Sequence, residues 1–496
     1  MNKYILFGAV WLTFNLSPFS IGASLADSAE EDDFMLGATR PQLAFDDHGN
    51  AVVVWLQIDK TGNKSGIWAS HYDVAGGWSL PSRINSAGGR TSGSPEVSVD
   101  ADGSATAVWA EWEGESTVLR VSRYKLGMGW GRPEPISQGE KAHDTKAVHY
   151  AFVKKIIADR KGSNFILWGT NALAEFESEM DGSKYMAVVG TSIYINRFDA
   201  KTGGWREPIY AAEVGKGSYC EMAVDGLGNV YLLRQQNYVA NNSGEKVRIE
   251  VSRYDVANNS GEKVRIEVSR YDPDKGLGAP VAINNDEIAY SKHTLEFIRP
   301  HIAADARGNV MSVWQQSGSV RANTYDYKSD AWSGSQVIEP HVNVGPEIAA
   351  HKNGDLFAAW NAMEGRNDSK IWAKHYVPGQ GWGVSKLIND ANAASDQMQL
   401  AVDSLGNAII VWRQYGDSSY NIWANRYDVA KGWGEAVLID VDKAKEARDP
   451  KIGFDSSRNA ISVWSKWNGR SNAIYANRYV AGKGWLAPML ISREAR

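Results

Sequence analysis

"FDDHGNAVVVW" runs from Phe45 to Trp55, and reading it decides the fold. Asp46 is followed three residues later by Gly49, then by Asn50, then by an apolar β-branched run that ends on a Trp nine residues after the Asp. D-x-x-G-N is turn chemistry: the short carboxylate accepts backbone N–H groups across the bend, and Gly takes the positive φ the bend demands. The segments on either side are strand-like in composition. The stretch therefore predicts two antiparallel strands joined by a tight turn.

The pattern repeats along the chain. Its turn residue stands at Asp46, Asp100, Asp159, Asp225, Asp305, His351, Asp403 and Asp455. Nine residues on come Trp55, Trp109, Trp168, Arg234, Trp314, Trp360, Trp412 and Trp464. A second Trp follows in seven units (Trp78, Trp130, Trp205, Trp332, Trp382, Trp433 and Trp485), with Leu277 in the fourth. Between the two lies a third strand-like segment, "IWASHYD" at 67–73 or "NIWANRYD" at 421–428. Four short strands per unit, repeated at this period, predict an all-β chain: a β-propeller of eight four-stranded antiparallel blades spanning 41–496. Two residues before the turn residue come Ala44, Ser98, Ile157, Ala223, Ala303, Ala349, Ala401 and Gly453. All but Ile157 are small, as expected where innermost strands converge on an axis.

The Trp ladders belong to this scaffold. Burying an indole removes ~150–250 Å² from water, roughly 4–6 kcal/mol at ~25 cal/mol/Å², and blade faces have only neighbouring blades to pack against. Arg123, Arg197, Arg426 and Arg478 sit beside an aromatic on the third strand. A buried guanidinium needs a partner, and the turn Asp is the expected one.

Composition bounds the rest. The chain has 496 residues and a formal charge of −5, with no Lys/Arg block, which argues against nucleic acid as a partner. Cys220 is the only cysteine, so no intramolecular disulfide is possible. Lys3, an apolar stretch over 4–21 broken by Asn15 and Pro18, and Ser24-Leu25-Ala26 together predict a signal peptide over 1–26. An exported protein, periplasmic or extracellular, is then expected, with an acidic leader over 27–40 and no transmembrane segment after signal removal.

In such a meander the uniform turns share one face of the disc, and the long dissimilar loops share the other. "LQIDKTGNKSG" (56–66), "RQYGDSSYN" (413–421) and "SKWNGRSNA" (465–473) belong to the irregular face. Rigid scaffolds present function on variable loops. Two residues past the second-strand Trp come Gln57, Glu111, Gln316 and Gln414, and three residues past it come Trp112, Tyr415 and Trp467. An aromatic plate stacks on the apolar face of a sugar ring while amides or carboxylates bond its hydroxyls. These seven residues are the candidate ligand-binding set, for a glycan or for a cell-envelope or extracellular protein. No catalytic residue, metal site or cofactor is assigned: H-D-x4-H at His143, Asp144 and His149 offers too few converging ligands.

The fourth unit is anomalous. "VANNSGEKVRIEVSRYD" occurs at 239–255 and again, identically, at 256–272. One extra strand would reverse the direction of the meander. One copy is therefore expected to serve as the third strand while the other loops out or forms an edge excursion.

The units resemble secreted bacterial β-propellers of the sialidase-like, Asp-box (BNR) kind, and bacterial propeller lectins. In an Asp-box, Gly follows Asp by two and the aromatic by about five, whereas the offsets here are three and nine. For the Phe/Tyr-Arg-Ile-Pro segment of sialidases the chain has only "FIRP" at 297–300. The resemblance implies a glycan-recognising propeller without enzymatic activity or, alternatively, a glycan-cleaving hydrolase or lyase with acid and base around the channel mouth. "FDAKTGGW" at 198–205 looks like the docking motif of eight-bladed quinoprotein dehydrogenases, but one Cys cannot provide the paired cysteines that support their cofactor.

Overall fold

The computed structural model describes residues 37–492 apart from 137–148, 178–183, 215–218, 241–245, 249–261, 273–275, 285–287, 290–298, 343–344, 364–368, 390–392 and seven single positions. The expected signal segment lies outside these. Every regular element among the described residues is a strand.

The first blade shows how a unit is built. Gly37–Phe45, Ala51–Ile58 and Ser65–Asp73 pair antiparallel in chain order, and a broken fourth strand, Gly77–Trp78 then Ser82–Arg83, pairs with the third. The innermost strand begins at Gly37, so the last four residues of the expected leader are part of the first blade. Eight such meanders are described, with innermost strands Gly37–Phe45, Thr91–Val99, His149–Ala158, Cys220–Val224, His301–Ala304, Glu347–Ala350, Ser395–Val402 and Ala447–Phe454. Each innermost strand contacts the next, and the last contacts the first, so the ring closes on an axial channel.

The D-x-x-G-N turn forms as its chemistry dictates. Asp46 Oδ1 accepts from the backbone N–H groups of His48 and Asn50, both at 2.8 Å, and Oδ2 from Asn50 Nδ2 at 2.7 Å. Asn50 Oδ1 in turn accepts from Val74 N, tying the first turn to the one between strands three and four. Gly49 sits at φ +92°, and a Cβ there would come within 3.1 Å of the Asp455 side chain of the last blade. The turn thus also fits blade to blade.

Packing between blades carries the core. Trp55, Trp109, Trp314, Trp360, Trp412 and Trp464 are fully buried. Each lies against its predecessor: Trp55 with Ile461 and Val463 of the last blade, Trp109 with Val52 and Val54 of the first. Third-strand side chains bridge four of the joints on the regular face. Arg123 lies over Phe198 (3.8 Å), Arg426 over Tyr479 (5.5 Å) and Arg478 over Tyr72 (5.4 Å), while His71 stacks on Tyr124 (5.3 Å). Asp100 and Asp455 approach Arg123 and Arg478 only to 3.9 and 3.8 Å. The ring of the following blade is therefore as much their partner as the turn Asp is.

In the fourth blade the second copy of the duplication, as Glu262–Asp272, is the third strand and pairs with Val230–Ala240. Of the first copy, Lys246–Arg248 pairs with the end of that second strand, and 249–255 lie outside the described residues. Arg234, standing where the other blades have Trp, makes a buried cross-strand pair with Glu267 at 2.7 Å.

Candidate functional site: the irregular rim and the channel wall

The residues two past the second-strand Trp lie on the same strand face as that Trp, since side chains alternate with period two. Gln57, Glu111, Gln316 and Gln414 each accept the indole N–H of their own Trp, at 3.3, 3.1, 2.8 and 2.9 Å. A buried indole N–H needs an acceptor, and the side chains of Glu111, Gln316 and Gln414 are themselves buried. Their nearest chemistry is therefore structural.

The aromatics one residue further lie at the rim. Backbone N–H groups of Trp112, Tyr415 and Trp467 donate to Arg90 O, Ala394 O and Glu446 O, just ahead of the innermost strand of the same blade. That fixes all three at one height. Tyr415 is 47% exposed and meets Tyr420 edge-on at 5.2 Å. Trp112 lies edge-on to Tyr150 at 5.1 Å, with the Arg90 guanidinium 5.6 Å from its centre. Beside Tyr420 the Arg413 fork grips Asp396 at 2.6 and 2.5 Å and reaches Glu446 at 3.3 Å, which also holds Arg448. Three aromatic plates with charged hydrogen-bonding groups between them thus occupy one arc of the rim, on the seventh, eighth and second blades.

Below the rim the channel wall holds a constellation that sequence reading missed. The small residues two before each turn do form one tier; at Gly453 a Cβ would come 2.5 Å from the Phe45 ring of the neighbouring blade. Two residues earlier, toward the irregular face, stand Gln42, Glu96, Lys155, Glu221, His301, Glu347, Gln399 and Lys451. Each pairs with the residue immediately before the second-strand Trp or its replacement, so all eight share one register. All are only partly buried. The narrow tier is thus capped by a polar belt. The expectation that only small side chains fit on these strands holds for one tier and fails at the next.

Half of the belt is knit together. Lys155 Nζ donates to Glu221 Oε1 at 2.9 Å. Glu221 Oε2 accepts from Ile302 N and faces His301 Nδ1, both at 3.1 Å, and Glu347 lies 3.9 Å from the same ring nitrogen. Burial works against the Glu221 charge, yet Lys155 and His301 outweigh it and hold its carboxyl down at about 2. Burial likewise opposes the imidazolium of His301, but Glu347 and Glu221 raise it to about 9. In Glu96 the balance falls the other way. Burial pushes it up to about 7 against the pull of Lys451 and Lys155.

The belt sits beneath local strain. The innermost strands of the first, second, third, seventh and eighth blades each carry a register shift immediately before the belt residue. Arg40, Gln397 and Asp449 take φ of 54°, 49° and 55° there. Such bulges re-aim side chains and are common beside functional sites. Among the described residues no group of three or more His, Cys, Asp or Glu could hold a metal ion. None of them forms a helix long and apolar enough to cross a membrane.

No family model and no curated protein matches the chain. Solved structures do. A Hadza microbial sialidase aligns at 13% identity and TM-score 0.34, over 69% of this chain and 64% of its own. The acylaminoacyl peptidase of Pyrococcus horikoshii aligns at 9% and 0.44, over 93% and 53%. The NanB sialidase of Streptococcus pneumoniae aligns at 9% and 0.36, over 93% and 92%. This chain therefore spans less than two thirds of the first two. The chain's own strand pairings establish the architecture, an all-β propeller of antiparallel meanders.

Proposed function

We propose that the protein is an exported, non-enzymatic binding propeller that recognises a glycan through its irregular rim. One observation carries this: Trp112, Tyr415 and Trp467 occupy equivalent positions on three blades, each tethered by its own backbone N–H to the lead-in of the innermost strand. Aromatic rings presented at fixed spacing by a rigid scaffold suit repeated sugar rings. The Arg413–Asp396–Glu446 cluster supplies donors and acceptors for hydroxyls. Gln57, Glu111, Gln316 and Gln414 support the reading from behind, by locking the Trp that precedes each plate or its counterpart.

Glycan cleavage is less well supported. It needs a protonated acid and an ionised carboxylate free to act on one bond. On the channel wall Glu221 has both oxygens engaged, by Lys155 and by Ile302 and His301, and is not free to act.

A glycan array on the chain lacking residues 1–26 tests the proposal. Binding to a defined glycan class is expected, weakened tenfold or more in Trp112→Ala, Tyr415→Ala and Trp467→Ala with the thermal midpoint held. An empty array together with capture of a protein by the same rim would move the assignment to a protein partner. Release of free sugar would move it to a hydrolase.

A further inference from the structure

The polar belt divides into two unlike halves. On blades three to six Lys155, Glu221, His301 and Glu347 satisfy one another. On blades seven, eight, one and two stand Gln399, Lys451, Gln42 and Glu96. Among the described residues Lys451, Gln42 and Glu96 make no side-chain hydrogen bond or ion pair, and Gln399 uses only its amide nitrogen, on its own strand at 3.0 Å. Glu96 feels the charge of Lys155 on the neighbouring strand and that of Lys451, whose strand is separated from its own by that of Gln42. All four residues follow a bulge, and three of those bulges hold a non-glycine residue at positive φ. Such a backbone is strained and persists where surrounding structure enforces it.

From this juxtaposition we infer a second binding site, in the channel wall on blades seven, eight, one and two, for a small zwitterion such as a free α-amino acid or a dipeptide. These half-buried groups have hydrogen-bonding capacity left over, and this arc offers one carboxylate, one ammonium and two primary amides. A simple anion drawn to Lys451 would meet Glu96, and a simple cation drawn to Glu96 would meet Lys451. A ligand carrying both charges on a short frame satisfies both, and the amides of Gln42 and Gln399 can bond its backbone. The site uses none of the rim aromatics, so it stands independently of glycan recognition.

Calorimetric titration of the full chain with glycine, L-glutamine and glycylglycine tests it, with ethylammonium and propionate as singly charged controls. At least one zwitterion is expected to bind, with both controls tenfold weaker or more. Glu96→Gln and Lys451→Met should each weaken binding tenfold or more, and Trp112→Ala should leave it unchanged. Should either charge variant misfold, Gln42→Leu and Gln399→Leu provide the same test, with several-fold losses expected. No binding of any zwitterion at tens of millimolar, equal binding of propionate, or wild-type affinity in the folded variants would overturn the inference. Loss of glycan binding in the rim variants with zwitterion binding intact separates this site from the rim.

Discussion

The guanidinium of Arg478, in the last blade, lies 5.4 Å from the ring centre of Tyr72, in the first. The same step is taken by Arg426 onto Tyr479 and by Arg123 onto Phe198. At the closure it joins blades that no chain segment connects within the described residues. Arg478→Ala should cost about 1–2 kcal/mol, the scale of a partly desolvated cation–π contact. Arg478→Lys should recover only part of that. Urea unfolding followed by Trp fluorescence measures both.

Gln316 and Gln414 are expected to matter for stability and little for ligand. Gln414→Leu leaves the Trp412 indole N–H buried without its acceptor, a cost of about 1–3 kcal/mol. Glycan affinity per folded molecule should stay at the wild-type value, the opposite of Tyr415→Ala. Thermal melting and titration on the same two variants separate the roles.

In the eighth blade the residue two past the Trp is Lys466. Its ammonium is buried against Asp440 at 2.6 Å, their side chains 2% and 0% exposed. Lys466→Met strands a buried carboxylate and should cost about 3–5 kcal/mol, whereas Lys466→Met with Asp440→Asn should recover most of the loss. A double-mutant cycle by chemical denaturation gives the coupling directly.

The knit half of the belt makes stability depend on pH with a definite sign. His301, raised from the ordinary 6.5 to about 9, contributes stability fully below 6.5 and loses it as pH rises through 9. Glu221, lowered from 4.5 to about 2, contributes above 4.5 and loses it as pH falls through 2. The difference in melting temperature between wild type and His301→Asn should therefore be greatest between pH 4.5 and 6.5 and shrink toward pH 9. A pH series of melts on both proteins reads it.

Deleting one copy of the duplicated 17 residues should leave the fold intact. Glu262–Asp272 alone supplies the third strand of the fourth blade, and the shortened hairpin joins the same two strands. A melting temperature within a few degrees of wild type, with unchanged far-ultraviolet dichroism, is the expected result.

The architecture was legible because its determinants are local. Asp46, Gly49 and Asn50 make one turn by themselves, and the Trp nine residues after the Asp marks a face that must be buried. That Gln57, Glu111, Gln316 and Gln414 accept an indole N–H is not legible in the sequence, because a side chain two residues past a Trp reads alike whether it faces solvent or that Trp's own indole. The polar belt was also written in the sequence, four residues before each turn. Its members differ from blade to blade, however, and only the shared register shows that Lys155, Glu221 and His301 meet across three strands. Bulges such as those at Arg40 and Gln397 leave no simple trace in residue type, since neither is glycine.

Among the described residues each blade is made of consecutive residues, and the first and last exchange no whole strand; the single bridge between Gly37 and Asn472 is their only ladder contact there. Seven of the joints in the wheel are thus tethered by the polypeptide, and the eighth is held, among the described residues, by packed side chains and that one bridge. Opening at that joint ahead of the other seven is the order expected in hydrogen exchange of the flanking strands. Gln42 and Lys451 stand on the two sides of that joint.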